Sequence, residues 1–304
     1  MHVVTDKLIY PEGPVAMADG SVLVVDIPDE ALKRVHPDGS VDLVARVPGG
    51  PNGAAIGPDG KVYICNNGGV EWIDVQDGRL RSGPQAENYT GGSIDVVDLA
   101  TGSVSRLYDR CGEHMLKGPN DLVFDGQGGF WFTDMGKRRL RTMDLGAVYW
   151  ASCDGTQIVE VITGLISPNG IGLSPDGKTL YVAETYTGRI WKWTIEAPGV
   201  VRKAAWPSPN GGHLYASPGG RTRFDSIAVS ASGAVCAAAL DLCAILEFRG
   251  SMTDYVLYPV PDLLVTNLCF GGPDMHTCYV TLSHEPRLVA FEWHEPGLVL
   301  HHSM

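Results

Sequence analysis

The sequence predicts an all-β fold, a six-bladed β-propeller with four antiparallel strands per blade, as a single domain over residues 1–304. Three observations predict it. Short Val- and Ile-rich runs alternate with turn signals drawn from 38 Gly and 20 Pro, and no amphipathic helical stretch interrupts them. A strand–turn–strand unit recurs along the chain. A second, more polar hairpin follows each unit, which makes four strands and about fifty residues to a repeat.

The units run in order as EGPVAMADGSVLVVD from Glu12, NGAAIGPDGKVYICN from Asn52, NDLVFDGQGGFWFTD from Asn120, NGIGLSPDGKTLYVAE from Asn169, DSIAVSASGAVCAAAL from Asp225 and NLCFGGPDMHTCYVTL from Asn267. The turn centre keeps one register throughout, at Asp19, Asp59, Gln127, Asp176, Ser232 and Asp274, with Gly close by as a tight hairpin requires. The second hairpins include RVHPDGSVDLVARV, IDVVDLATGSVSRLY, VYWASCDGTQIVEVI and ILEFRGSMTDYVLYPV. A parallel α/β fold is excluded because crossover helices are missing. The N-terminal HVVTDKLI is expected to close the ring as an outer strand of the last blade beside RLVAFEW.

Composition narrows the function. Apolar residues are 44% and charged residues 19%, enough for a large core and too few charges for a disordered chain. A net charge of −12 argues against nucleic acid or anionic lipid as a partner. The sequence has no long apolar run and no signal-peptide pattern, so a cytoplasmic location is expected. The 7 cysteines lack metal-like spacing and mostly sit in apolar runs, where Cys acts as a small hydrophobe.

In a propeller the innermost strand of each blade lines the central channel, so residues in one register at its start converge on the axis. Here they are Glu12, Asn52, Asn120, Asn169, Asp225 and Asn267. Turn formation accounts for single Asn residues at such positions. It does not account for Glu12, nor for two carboxylates facing one narrow channel. At about 5 Å and an effective dielectric near 20, their repulsion costs roughly 3 kcal/mol. A divalent cation on these carboxylates and amide oxygens cancels that charge. Hard oxygen donors, with no His or Cys in the register, suit Ca²⁺, Mg²⁺ or Mn²⁺ better than a zinc site. One divalent ion is expected, Ca²⁺ first, with Mg²⁺, Mn²⁺, Zn²⁺ and Fe²⁺ as alternatives.

The motifs PEGPV, GPNDLVFDGQGGFWFTD, SPNGIGLSPDGKTLYVAET, FDSIAVSASG and TNLCFGGPD resemble the senescence-marker-protein, gluconolactonase and luciferin-regenerating-enzyme propellers from Glu12 to about Leu282. The resemblance implies a six-bladed propeller with one divalent ion in its channel and hydrolysis of a lactone. It assigns metal ligation to Glu12, Asn120, Asn169 and Asp225. Two features depart from the family pattern. The fifth blade reads RFDSIAV where many relatives have PDG, and Gly118 replaces an Arg found in some sugar-lactone members. A less polar lactone than a sugar lactone is the expectation that follows.

Lactone opening needs a polarised carbonyl, an activated water and a proton route, and a divalent ion serves the first two. Asp225 is the candidate general base as well as a ligand. No G-x-S-x-G elbow is present. The second strand of each unit ends at the same mouth of the channel, at Asp26, Asn66, Asp134, Glu184, Leu240 and Ser283. Asn52, Asn120, Asn267, Glu184 and Asp134 are candidate substrate-binding residues. Residues 67–90, with Trp72 and Tyr89, read as a lid. Lys137, Arg138, Arg139 and Arg141 form a basic loop that reads first as solvated and second as a carboxylate receiver. His301 and His302 stand in a terminus that reads as disordered and without a site. A phosphotriesterase-like hydrolase and a non-catalytic calcium-binding propeller are the competing functions.

Overall fold

The structure, a computed structural model, describes residues 1–76, 78–250 and 252–302. Its strands form six blades arranged as a ring, a six-bladed β-propeller. Blade 1 runs Pro11–Ala16, Val22–Asp26, Ala31–Val35, Val41–Arg46 from axis to rim. Blade 2 follows with Pro51–Ile56, Val62–Asn66, Ser93–Val97 and Val104–Tyr108. Blade 3 comprises Pro119–Phe124, Gly129–Asp134, Gly146–Ser152 and Ile158–Leu165. Blade 4 has Pro168–Leu173, Thr179–Glu184, Arg189–Ala197 and Val200–Arg202, with His213–Ala216 also paired to the third strand. Blade 5 has Arg223–Val229, Val235–Leu240, Ala244–Phe248 and Tyr255–Pro259.

Blade 6 takes three strands from the C-terminal part, Val265–Gly271, Thr277–Leu282 and Arg287–Glu292. Its fourth is the N-terminal His2–Thr5, which pairs Val3 with Val289. The ring is thus tied shut by strands from both ends of the chain, as HVVTDKLI suggested.

Burial explains why the strands read as they do. The second strands Val22–Asp26, Val62–Asn66 and Val235–Leu240 are buried at every residue, being covered on both faces by neighbouring blades, so their sequences are continuous apolar runs. The rim strand Val41–Arg46 buries only Ala45 and mixes polar with apolar residues. The core is divided among the blade interfaces. One apolar cluster fills each of the six: between blades 1 and 2, 2 and 3, 3 and 4, 4 and 5, 5 and 6, and 6 and 1. The cysteines are all free; Cys65, Cys236 and Cys278 are buried in these clusters, which pushes their thiols up and keeps them inert.

Inner strands approach each other closely at the axis. A Cβ on Gly13 would lie 2.4 Å from the Asn52 carbonyl oxygen, and one on Gly53 would lie 2.6 Å from that of Asn120. The Gly after each of these ring residues is therefore dictated by the next blade. Blades 3, 5 and 6 carry Asp121, Ser226 and Leu268 there instead.

The C-terminal residues depart from the expected disorder. Leu298, Leu300 and His301 line a small apolar cavity below the ring, at the end opposite the mouth, and His302 meets the Phe124 ring edge-on at 5.5 Å. No helix is long and apolar enough to cross a membrane among the described residues.

Candidate functional site

The six register residues do converge. Glu12, Asn52, Asn120, Asn169 and Asp225 line one cavity of about 410 Å³ that opens at the channel mouth. Two amides hold the two carboxylates. Asn267 Nδ2 donates to Glu12 Oε2 at 2.9 Å, reinforced by the Gly13 N–H at 3.0 Å. Asn169 Nδ2 donates to Asp225 Oδ1 and, at 3.2 Å, to Thr185 Oγ1. Two buried oxygens are left over: Asn120 Oδ1 and Asn169 Oδ1 have no donor. A buried carbonyl oxygen without a partner is costly, and an ordered ion or water ordinarily meets it.

The charges are strained in the same direction. Burial raises Glu12 to about 7, and burial together with the Glu12 charge holds Asp225 well above the ordinary carboxylate range. Asp121, one residue past the ring position in blade 3, is raised to about 8 by burial and by Glu12. The repelling carboxylates of buried Glu12 and half-buried Asp225, beside two orphaned amide oxygens, form an all-oxygen donor set that fits a hard divalent cation, while Asp121 faces the lower cavity. Glu12, Asn120, Asn169 and Asp225 line the mouth cavity and could hold such an ion. A separate carboxylate–imidazole cluster, Glu247, His294 and Glu295, lies off the channel; Arg249 and Tyr258 already bond Glu247, each at 2.9 Å.

Three candidates turn out to serve the scaffold. Asn267 does not line the mouth cavity: its amide holds Glu12, and its Oδ1 accepts the Leu268 N–H at 2.7 Å. Asp134 is buried with both oxygens occupied by the N–H groups of Lys117 (2.7 Å), Gly118 (2.7 Å) and Gly136 (2.9 Å). Glu184 accepts the Ile166 N–H at 2.7 Å and the Thr187 hydroxyl at 2.5 Å. These belong to a repeated device. Asp26 takes the Tyr10 N–H and Asn66 the Gly50 N–H, both at 2.8 Å. In each of the four blades the end of the second strand clamps the loop that enters the first strand, just before Pro11, Pro51, Pro119 and Pro168. A polar residue at that position therefore reports loop capping, not substrate contact.

Gly118 also has a packing cause. A Cβ there would lie 2.6 Å from the Gly136 carbonyl oxygen, so this site has no room for the Arg of sugar-lactone relatives.

Residues 67–90 form a hairpin, Val70–Gln76 with Arg79–Gln85, that walls the cavity; position 77 lies outside the described residues. Trp72 packs on Tyr10 at 5.0 Å between ring centroids, and Tyr89 donates to the Lys117 carbonyl at 2.7 Å. The basic loop splits. Arg139 is exposed and pairs with Asp144 at 3.0 Å, and Arg141 is exposed, but Lys137 is buried in the cavity wall.

Sequence reasoning passed over Asp121, Arg81 and Arg223. Asp121 carried a signal: it is an acid where Gly13, Gly53 and Gly170 occupy the equivalent place. Arg81 and Arg223 reach the cavity only through tertiary contacts.

Comparison with known proteins is consistent with this geometry. Residues 10–284 match the model of the SMP-30/Gluconolactonase/LRE-like region. A gluconolactonase of Zymomonas mobilis is 26% identical over 223 residues, covering 66% of this chain and 56% of that protein. The chain thus spans about half the length of the curated relatives it matches. Two solved structures share the fold. One, a gluconolactonase from Xanthomonas campestris, has a TM-score of 0.74 at 22% identity, over 95% of this chain and 88% of that one. The other, a calcium-binding protein, regucalcin, from Agrobacterium tumefaciens, has a TM-score of 0.73 at 19% identity, over 98% and 97%. With six blades, an oxygen-lined channel and a family match across nearly its whole length, the chain belongs to the SMP-30/gluconolactonase/LRE-like family.

Proposed function

We propose that this chain is a metal-dependent lactonase, acting as one domain on a small-molecule lactone. The observation that carries the reading is the pair of orphaned oxygens, Asn120 Oδ1 and Asn169 Oδ1, beside the carboxylates of Glu12 and Asp225 on the floor of an open cavity. The relatives named gluconolactonase and lactonase support the same class. Ca²⁺ is the first choice of ion, held by Glu12, Asn120, Asn169 and Asp225. When bound, it polarises the lactone carbonyl and acidifies water.

The chain's own residues do the rest. Asp225 accepts the proton of the attacking water, and the Asn169 amide keeps its carboxylate aimed into the ring. Asn267 fixes Glu12 in the same way, again from the preceding blade of the ring. Asn52, half-buried on the cavity wall, is placed to bond the substrate. Water's oxygen forms the new bond to the carbonyl carbon, the ring C–O bond breaks, and a proton passes to the leaving alkoxide. The product is a hydroxy acid.

A second reading is a calcium-binding propeller without turnover, favoured by the oxygen-only donor set. One experiment separates the two. Chelated protein is assayed on γ- and δ-lactones and an aryl phosphotriester, then again after adding back Ca²⁺, Mg²⁺, Mn²⁺ or Zn²⁺. Lactone opening that vanishes with chelator and returns with metal supports the lactonase. Turnover of the phosphotriester alone assigns the hydrolase to that class, and metal binding without any turnover leaves the storage reading.

A further inference from the structure

Among the described residues, Lys137 is a buried ammonium with no carboxylate in hydrogen-bond contact. It is 3% exposed, and it donates to the Gly69 carbonyl at 2.8 Å and to Asn67 Oδ1 at 3.3 Å, both neutral. Its Nζ stands 4.9 Å from the centre of the Tyr89 ring. The carboxylate whose charge reaches it, Asp134, is committed to three backbone N–H groups. Removing a lysine from water without a counter-ion is expensive, and a solvated loop would not do it. Burial lowers this ammonium to about 8, so it is still mostly charged at neutral pH.

Other cations share the wall. Arg81 lines the cavity from the hairpin, and among the described residues its hydrogen-bond partners are the Leu80 carbonyl and a His284 ring nitrogen. Arg223 lines it too but is neutralised by Asp241 through two contacts of 2.8 Å. A divalent ion on Glu12 and Asp225 offsets their two charges, which leaves Lys137, Arg81 and Arg138 as wall cations with no carboxylate in contact among the described residues, in a chain of net charge −12. Tyr10, Trp72, Val70 and Leu264 supply an apolar surface between.

We propose that the substrate is a lactone bearing a carboxylate, and that Lys137 binds that carboxylate while Arg81 reinforces the positive wall. The inference rests on the lactonase reading and deepens it: the ring-opened product is a dicarboxylate.

The test uses a matched pair of γ-lactones, one with a carboxymethyl substituent and one with the neutral carboxamidomethyl isostere, on metal-loaded protein. The expected result is at least a tenfold preference of the wild type for the acid in kcat/KM, expressed in KM and weakened by salt. Lys137→Met should remove most of that preference, and Lys137→Arg should keep part of it. Equal turnover of both lactones by the wild type, or a preference unchanged in Lys137→Met, overturns the proposal. If Lys137→Met does not fold, the Arg variant and the salt dependence decide. If neither lactone is hydrolysed, the lactonase reading fails, and calorimetry with glutarate against glutaramide still judges the site. Glutarate binding that Lys137→Met weakens tenfold supports the proposal; no discrimination between the two compounds overturns it.

Discussion

The amide of Asn169 donates to the carboxylate of Asp225 on the next blade, while its own carbonyl oxygen, buried in the ring, meets no donor. One side chain thus aims a ligand and offers another. Asn169→Ala should therefore weaken divalent-ion affinity by at least the ten- to hundredfold typical of losing a supporting partner. Calorimetric titration of Ca²⁺ into chelated wild type and variant checks this, and equal affinities would remove Asn169 from the ligand set.

Metal should also stabilise the fold. An ion that binds the closed ring but not the open chain adds about 2.7 kcal/mol at a hundredfold excess over its Kd. For a chain of this length that corresponds to a rise in Tm of roughly 4 °C. Thermal melts across a Ca²⁺ series measure it, and melting that ignores every divalent ion would contradict the oxygen ring as a site.

Asp225→Asn separates base from ligand. It keeps an oxygen of similar size and removes the proton acceptor. Turnover at saturating metal should fall by about 10² to 10⁴, the usual worth of general-base catalysis. If excess metal restores near-normal kcat, Asp225 is a ligand only.

The metal-free protein should lose stability as pH rises. Glu12, with an ordinary value of 4.5, sits at about 7 in the fold, and Asp225 is also raised. The folded state therefore binds more protons than the unfolded state between those values, and the stabilisation, complete below the lower one, is lost as pH rises through about 7. Urea midpoints of chelated protein should fall between about pH 5.5 and pH 7.5, and fall less in Glu12→Gln. With saturating Ca²⁺ the trend should reverse, because the ion requires ionised ligands. A metal-free midpoint that climbs over this interval would show that the ring carboxylates are not protonated in the fold.

Asp134 should matter for stability and not for metal. It accepts three backbone N–H bonds at the entry to blade 3, so Asp134→Ala should cost at least about 3 kcal/mol through the unsatisfied donors. Denaturant unfolding gives the cost, and Ca²⁺ affinity of the folded fraction should stay within a few-fold of wild type. A large loss of affinity with little loss of stability would return Asp134 to the site.

The sequence by itself determined the propeller, its six repeats and the ring of Glu12, Asn52, Asn120, Asn169, Asp225 and Asn267. The reason is that blade register is local: a strand, a tight turn and a second strand fix which residue begins each inner strand. Symmetry then carries equivalent residues to one axis. Tertiary structure alone decided what each ring residue faces. Asn267 turned from substrate group to support for Glu12 because its partner lies in the first blade, at the other end of the chain. Asp134 and Glu184 look like site residues in sequence because they are acids at strand ends, but their partners are loop N–H groups that no periodicity reveals. Lys137 was read within a basic loop with Arg138, Arg139 and Arg141, and only folding against residues 67–89 buries it and exposes its neighbours. Gly118 is small because the Gly136 backbone passes over it. Which groups are desolvated, and which of them lack a partner, depends on contacts between blades, and those are set by the closure of the ring.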